Sequence, residues 1–244
     1  MSIKSFGMPV IQGNRAYTEP PHRFSAREYF VIEYETDPDA IKKILPPGLT
    51  FTVPVVKYEF MSMPDASGFG RFKESGQIIS VDYNGIKGSY IHSMYLDLHS
   101  PVAGGREIWG FPKTMGNPTL DIDGDYLLGT LDYGRVRVAT GTMEYKRHSA
   151  NIQHTEAGLK SPSFLVKSIP HADGRPAICQ LVRYVLDDVR VHWAWAGEAT
   201  LELHPHVMAR VNDLPVIQVL SGQHFCADVT LPFGEIMIDY LTSL

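Results

Sequence analysis

Cysteine is scarce in this 244-residue chain: only Cys179 and Cys226 occur, each among apolar neighbours and neither in a metal-type spacing. That excludes a disulfide scaffold and a cysteine-ligated metal, and predicts two buried free thiols. Positive charge is also short, 22 Lys plus Arg against 27 Asp plus Glu, a net of -5. Nucleic acid is therefore not an expected partner, because neutralising phosphates takes a basic face. No stretch approaches about 18 consecutive apolar residues, and Met1 to Arg15 lacks a signal-peptide core. A soluble, cytoplasmic protein without a membrane partner is expected. Also missing are the Walker A loop, G-x-G-x-x-G, the G-x-S-x-G elbow and H-E-x-x-H, so the best-marked phosphate, dinucleotide, serine-hydrolase and zinc-protease sites are excluded.

What is present is ordinary globular material, 44% apolar and 20% charged. Glycine and proline are spread along the whole length, which favours a single domain over residues 1–244, with roughly the first 20 residues as an arm. Runs rich in β-branched and aromatic residues predict strands at Tyr29 to Tyr34, Thr52 to Met63, Gln77 to Tyr83, Ser89 to Leu98, Tyr126 to Asp132, Arg135 to Tyr145 and Asp187 to Ala194. The segment from Gly129 to Ala139 reads as a hairpin turning at Gly134, with Val136 and Val138 on the dry face of its second strand. Gly68-Phe69-Gly70 reads as a turn. Asp37 to Leu45 predicts a short helix, with a capping Asp, Pro38 in the first turn and Pro46-Pro47 as the stop. Phe233 to Leu244 reads as a short helix or a last strand. The fold class expected is mostly β (α+β), antiparallel, closed or packed on itself, with a few short helices.

Ten histidines invite a metal, yet His204-Pro205-His206 is the one close pair, and on a strand its rings would share a face. His92, His148, His154 and His224 stand alone. The most unusual stretch is Pro101 to Pro118. Its only lysine, Lys113, is bracketed by Trp109, Phe111, Pro112 and Met115, while Gly104, Gly105, Gly110 and Gly116 permit tight backbone paths. An ammonium there is poorly solvated, although most lysines keep their heads in water. An ordinary lysine is neutral in only about one molecule in two thousand at pH 7, and full burial can remove that obstacle.

With Lys113 in a G-F-P-K-x-x-G setting, the sequence resembles the acetoacetate decarboxylase family. Further family-like blocks follow in order: Arg27 to Phe30, Tyr58-Glu59 with Met61 to Met63, Glu74 to Gln77, His92 to Leu96, Gly129 to Gly134, Val138 to Met143, and Asn212 to Pro215. The resemblance implies a cone-like antiparallel β-barrel, a large homo-oligomer (a dodecamer), no metal or organic cofactor, and a lysine that forms a Schiff base with a β-keto acid. Carried over by position, Lys113 is the Schiff-base lysine, Arg27 the pocket arginine, Glu59 and Glu74 the pocket glutamates, and Phe111 and Met94 apolar lining. Glu74 is the preferred proton-transfer residue, with Glu59 in support, and Arg27 orients the substrate and holds the two glutamates. The chain departs from the family at Thr114, where a second lysine is typical. Decarboxylation of acetoacetate to acetone is the expected reaction. A Schiff-base aldolase or dehydratase, a keto-acid binding protein and a structural assembly protein stay open as alternatives.

Overall fold

The computed structural model describes residues 6–8 and 15–242. Most of the expected N-terminal arm lies outside the described residues. The chain opens with β1 (His22–Glu35), α1 (Pro38–Ile44), β2 (Val55–Ala66), β3 (Gly70–Tyr83) and β4 (Ile86–Leu96). Next come α2 (His99–Gly104), a π-turn at Gly105–Trp109, and the three-residue β5 (Lys113–Met115). The middle holds β6 (Asn117–Asp123), β7 (Tyr126–Tyr133), β8 (Val136–Glu144), β9 (His148–Ser149) and α3 (Ile152–Leu159). The remainder is β10 (Ser163–Pro170), β11 (Pro176–Tyr184), β12 (Asp187–Gly197), β13 (Ala199–Leu203), a 3-10 turn at Val211–Asp213, β14 (Gln218–Leu231) and β15 (Glu235–Asp239).

Local chemistry explains the punctuation. Asp37 caps α1 by accepting from the Asp39 N–H, Pro38 fills a first-turn position that needs no donor, and Ile41 anchors the helix in the core. Gly68 and Gly70 take positive φ to turn β2 into β3, and Gly134 does the same between β7 and β8. All seven expected strands and the helix are found, and the last segment is a strand, β15. In β8 the expected dry face begins only at Val138. Val136 is exposed because the β7–β8 register shifts between Leu131 and Asp132.

The strands form two sheets. The larger runs β15-β11-β10-β4-β3-β2-β1-β14-β12-β9, with β5 attached to β4, and the smaller runs β13-β8-β7-β6. The small sheet packs on one face of the large one: Phe30, Ile32, Tyr58 and Phe60 meet Leu127, Leu131, Val138 and Met143 in one buried cluster. Gly129 has to be glycine there, because an added Cβ would lie 2.4 Å from the Phe60 ring. The other face carries a second cluster drawn from strands as far apart as β11 and β12, including Tyr29, Met61, Met94, Leu165, Val182, Val191 and Phe225. To bring those positions together the large sheet must curl into a cup. The β-rich class is as expected, but neither sheet closes through its hydrogen-bond ladders, and two pairings, β4–β5 and β4–β10, are parallel.

Several single-residue expectations are corrected. Cys226 is a buried free thiol, whereas Cys179 is only half-buried, because β11 lies next to the sheet edge. His204 and His206 lie beyond the end of β13 and do not share a strand face. The His206 Nδ1 accepts the N–H groups of Met208 and Ala209, so that ring closes a turn. Among the described residues no cluster of His, Cys, Asp and Glu is arranged to hold a metal, and no helix is long and apolar enough to cross a membrane.

Candidate active site

Lys113 is held by its immediate surroundings. β5 runs parallel to β4 and sets Lys113 opposite Met94. The Lys113 N–H donates to the Phe111 carbonyl at 2.7 Å, and Arg106 donates to the Lys113 carbonyl at 3.1 Å. The π-turn upstream closes with the Gly110 and Phe111 N–H groups on the Gly105 carbonyl, and Gly110 leaves it at φ +87. The side chain of Lys113 then lies along the backbone of Gly105, where an added Cβ would stand 2.7 Å from Cδ and 3.1 Å from Cε. Phe111 covers the ammonium at 4.8 Å from its ring centroid, and only 8% of the lysine is exposed.

The Nζ atom sits 3.5 Å from Glu74 Oε1, and that carboxylate is itself buried on β3. Burial lowers the Lys113 pKa from the ordinary lysine value, and the Arg27 charge lowers it further, against the opposing pull of Glu74. Glu59, on β2, is pushed up to about 7 by burial, although Arg27 and Lys57 pull the other way. Its carboxyl group can therefore exchange a proton near neutrality.

Arg27 follows Ala26, whose φ of +51 marks the register shift that aims this part of β1. The guanidinium lies 4.6 Å from the Tyr29 ring centroid and 5.4 Å from that of Phe24, with Nη2 2.9 Å from Met61 Sδ. Burial works against its charge, but Tyr29, Glu74 and Glu59 outweigh that cost and hold its pKa above the ordinary arginine value. The expected Arg27 grip on the two glutamates takes the form of a field and not of contacts: neither carboxylate comes within ion-pair distance of it among the described residues. An aromatic shelf takes the place of a counter-ion, because β-strand alternation puts Arg27 and Tyr29 on one face.

These groups line one cavity of about 330 Å³. Lys113, Glu74, Glu59, Arg27, Met94 and Phe111 all belong to its wall, so all six expected site residues come together. Tyr184 and Leu186 from around the β11–β12 turn, Phe225 from β14, and Thr155 and Leu159 from α3 complete it. Near the mouth Lys57 pairs with Glu33 at 3.3 Å, and Gln223 donates to Thr155 at 2.8 Å. His154 of the lone histidines also lines the cavity, while His224 is buried on the far side of β14, 2.6 Å from Glu28. Trp109 packs behind the wall, against Phe111, and donates to the Pro232 carbonyl at 2.8 Å.

Residue-by-residue reading missed Tyr29 and Tyr184, and named Gly105 only as one of four glycines that permit a tight backbone path. Tyr29 sits two positions from Arg27, and strand alternation was a signal that could have found it. Tyr184, its phenol pushed up to about 12 by burial, comes from a distant strand and gave no local signal.

Comparison with known proteins bears on the family and the fold. The family model described as acetoacetate decarboxylase (ADC) matches residues 7–241. An acetoacetate decarboxylase from Bordetella avium (strain 197N) is 53% identical over 237 residues, covering 97% of this chain and 96% of its own. One from Burkholderia ambifaria (strain MC40-6) is 50% identical over 238 residues, covering 98% and 96%. The crystal structure of acetoacetate decarboxylase from Legionella pneumophila superposes with a TM-score of 0.95 at 44% identity, covering 98% of this chain and 96% of that one. The chain belongs to the acetoacetate decarboxylase family.

Proposed function

We propose that the protein decarboxylates acetoacetate to acetone and carbon dioxide through an imine on Lys113. The observation that carries this reading is a buried amine, its pKa lowered by burial, facing a buried carboxylate at 3.5 Å inside a closed-in cavity. Neutral Lys113 attacks the ketone carbon, one nitrogen proton passes to the oxygen by way of Glu74, and a further proton, supplied by the Glu59 carboxyl group, carries the hydroxyl away as water to leave a protonated imine. The bond to the carboxylate then breaks, carbon dioxide departs, and the electron pair moves into the imine to form an enamine. Protonation of the enamine carbon regenerates an imine, and water releases acetone and the free lysine. Glu74 is the preferred proton-transfer group because it stands beside Nζ, and Glu59, with its carboxyl near neutrality, supports it.

Arg27 supplies positive potential that orients the anionic substrate and lowers the lysine pKa. A stronger, direct clamp on the carboxylate would stabilise the ground state and oppose carbon dioxide loss. The wider expectations from family resemblance belong to the same proposal: a single working domain, a barrel-like cup, a large homo-oligomer of dodecamer type, and a cytoplasmic setting.

The test is intact-protein and peptide mass spectrometry after mixing the enzyme with acetoacetate and borohydride, with acetone alone as a control. An isopropyl group on Lys113, formed faster than acetone alone supplies it, supports the proposal. An adduct that keeps its carboxyl group points to an aldolase or dehydratase, and no adduct leaves a keto-acid binding protein.

A further inference from the structure

The wall of the cavity contains a polar atom for which the reaction above has no use. Tyr29 is 3% exposed, its ring stacks on Phe225 at 4.5 Å, and its hydroxyl is buried without a hydrogen-bond partner. Arg27 Nε, next to it, is buried and unpartnered too. A buried donor without an acceptor is costly, so an orphan hydroxyl in a cavity wall is a place for something that accepts. The Arg27 guanidinium lies over the Tyr29 ring at 4.6 Å, so the phenol stands beside a positive charge. Glu74 and Lys113 form the other polar group.

We infer that Tyr29 is a carboxylate-positioning residue: its hydroxyl donates to the carboxylate of the β-keto acid once the ketone carbon is bound to Lys113, while Arg27 acts on that carboxylate through its field. This rests on the imine reading of the site. A donor on that wall, with the Arg27 field beside it, sets the direction in which the carboxylate points. That direction matters, because the breaking carbon–carbon bond must stand out of the imine plane for its electrons to enter the π system. A neutral phenol suits the task better than a second cation, since it orients the anion without holding it as tightly.

The experiment is Tyr29→Phe, which keeps the ring and its stack on Phe225. Because the hydroxyl has no partner in the empty enzyme, the variant is expected to melt at or above the wild-type temperature. The kcat/KM for acetoacetate should fall about 10- to 100-fold, the range for a hydrogen bond to a charged group. Borohydride trapping of acetone, which has no carboxylate, should proceed on Lys113 at the wild-type rate. If acetone trapping falls in parallel with acetoacetate turnover, or if neither changes, the inference is overturned. Wild-type enzyme that traps neither ketone would instead refute the imine reading.

Discussion

Replacing Gly105 by alanine is a small change aimed at the reactive amine alone. Gly105 has ordinary right-handed helical angles, φ -60 and ψ -44, so alanine is unstrained there. The new methyl group would meet Lys113 Cδ at 2.7 Å, Cε at 3.1 Å and Nζ at 3.4 Å. Carbon atoms in comfortable contact stand about 3.5–4.0 Å apart, so the lysine stem must move by roughly 1 Å. A flexible side chain makes that move at little cost to the fold, on the order of 1 kcal/mol and within the usual range for mild overpacking. The effect on the reaction should be much larger, because a misplacement of about 1 Å can cost on the order of 100-fold. The assay combines steady-state acetoacetate turnover with the rate of borohydride trapping on Lys113, and circular dichroism to verify the fold. Wild-type turnover and trapping in a folded Gly105→Ala variant would refute the claim that this contact places the amine.

Lys113→Ala should abolish both turnover and trapping while leaving the folded circular dichroism spectrum in place; residual turnover would remove the imine mechanism. Thr114→Lys should shift the pH optimum by less than one unit, measured by initial rates across pH. Residue 114 lies on the opposite face of β5 from Lys113 and burial dominates the lysine shift, so a larger acid shift would show that neighbouring charge governs instead. Glu59→Gln should change stability in a pH-dependent way. The folded pKa of Glu59 is raised to about 7, so its stabilising share is complete below the ordinary glutamate range and is lost as pH rises through about 7. The variant should therefore gain on the wild type between pH 5 and 8 by up to about 3 kcal/mol, read from urea midpoints. A pH-independent difference would contradict the burial of that carboxyl. Activity should move the opposite way and fall as pH drops below the lowered Lys113 pKa, because the amine becomes protonated, as read from initial rates across pH.

Those strands whose residues alternate or cluster by type were readable in advance, as was α1 with its cap and stop. β14 was not, although it lies between β1 and β12 near the middle of the large sheet. Its Ser221-Gly222-Gln223-His224 run carries turn-forming and polar residues, and only pairing on both sides makes a strand of it. β10 and β11 were missed for a related reason: their lysine, arginine and proline residues obscure a pattern that burial against the cup supplies. α3 is short and lies over β12, held by Glu156 accepting from the Val191 N–H, a tertiary contact with no trace in local sequence. The site was more legible than the sheet. Lys113, Glu74, Glu59, Arg27, Phe111 and Met94 were all named before their proximity was known, because family resemblance carries position and not only type. What it did not carry was the geometry between them, such as the absence of an Arg27–glutamate contact and the closeness of Gly105 to the lysine stem.

The curled sheet has a consequence for how this pocket can be altered. The groups given charge or proton work in the proposed reaction, Arg27, Glu59, Glu74 and Lys113, all come from the first half of the chain, on β1 to β5. The second half adds much of the bulk that limits what fits, Leu159, Tyr184, Leu186 and Phe225, to Met94 and Phe111 from the first. Reagent and much of the mould are thus written in separate stretches of sequence and meet only because the cup brings its two flanks together. A library confined to those four mould positions can explore bulkier or slimmer keto acids without disturbing the amine, whereas changes on β1 to β5 alter the reaction before they alter the shape.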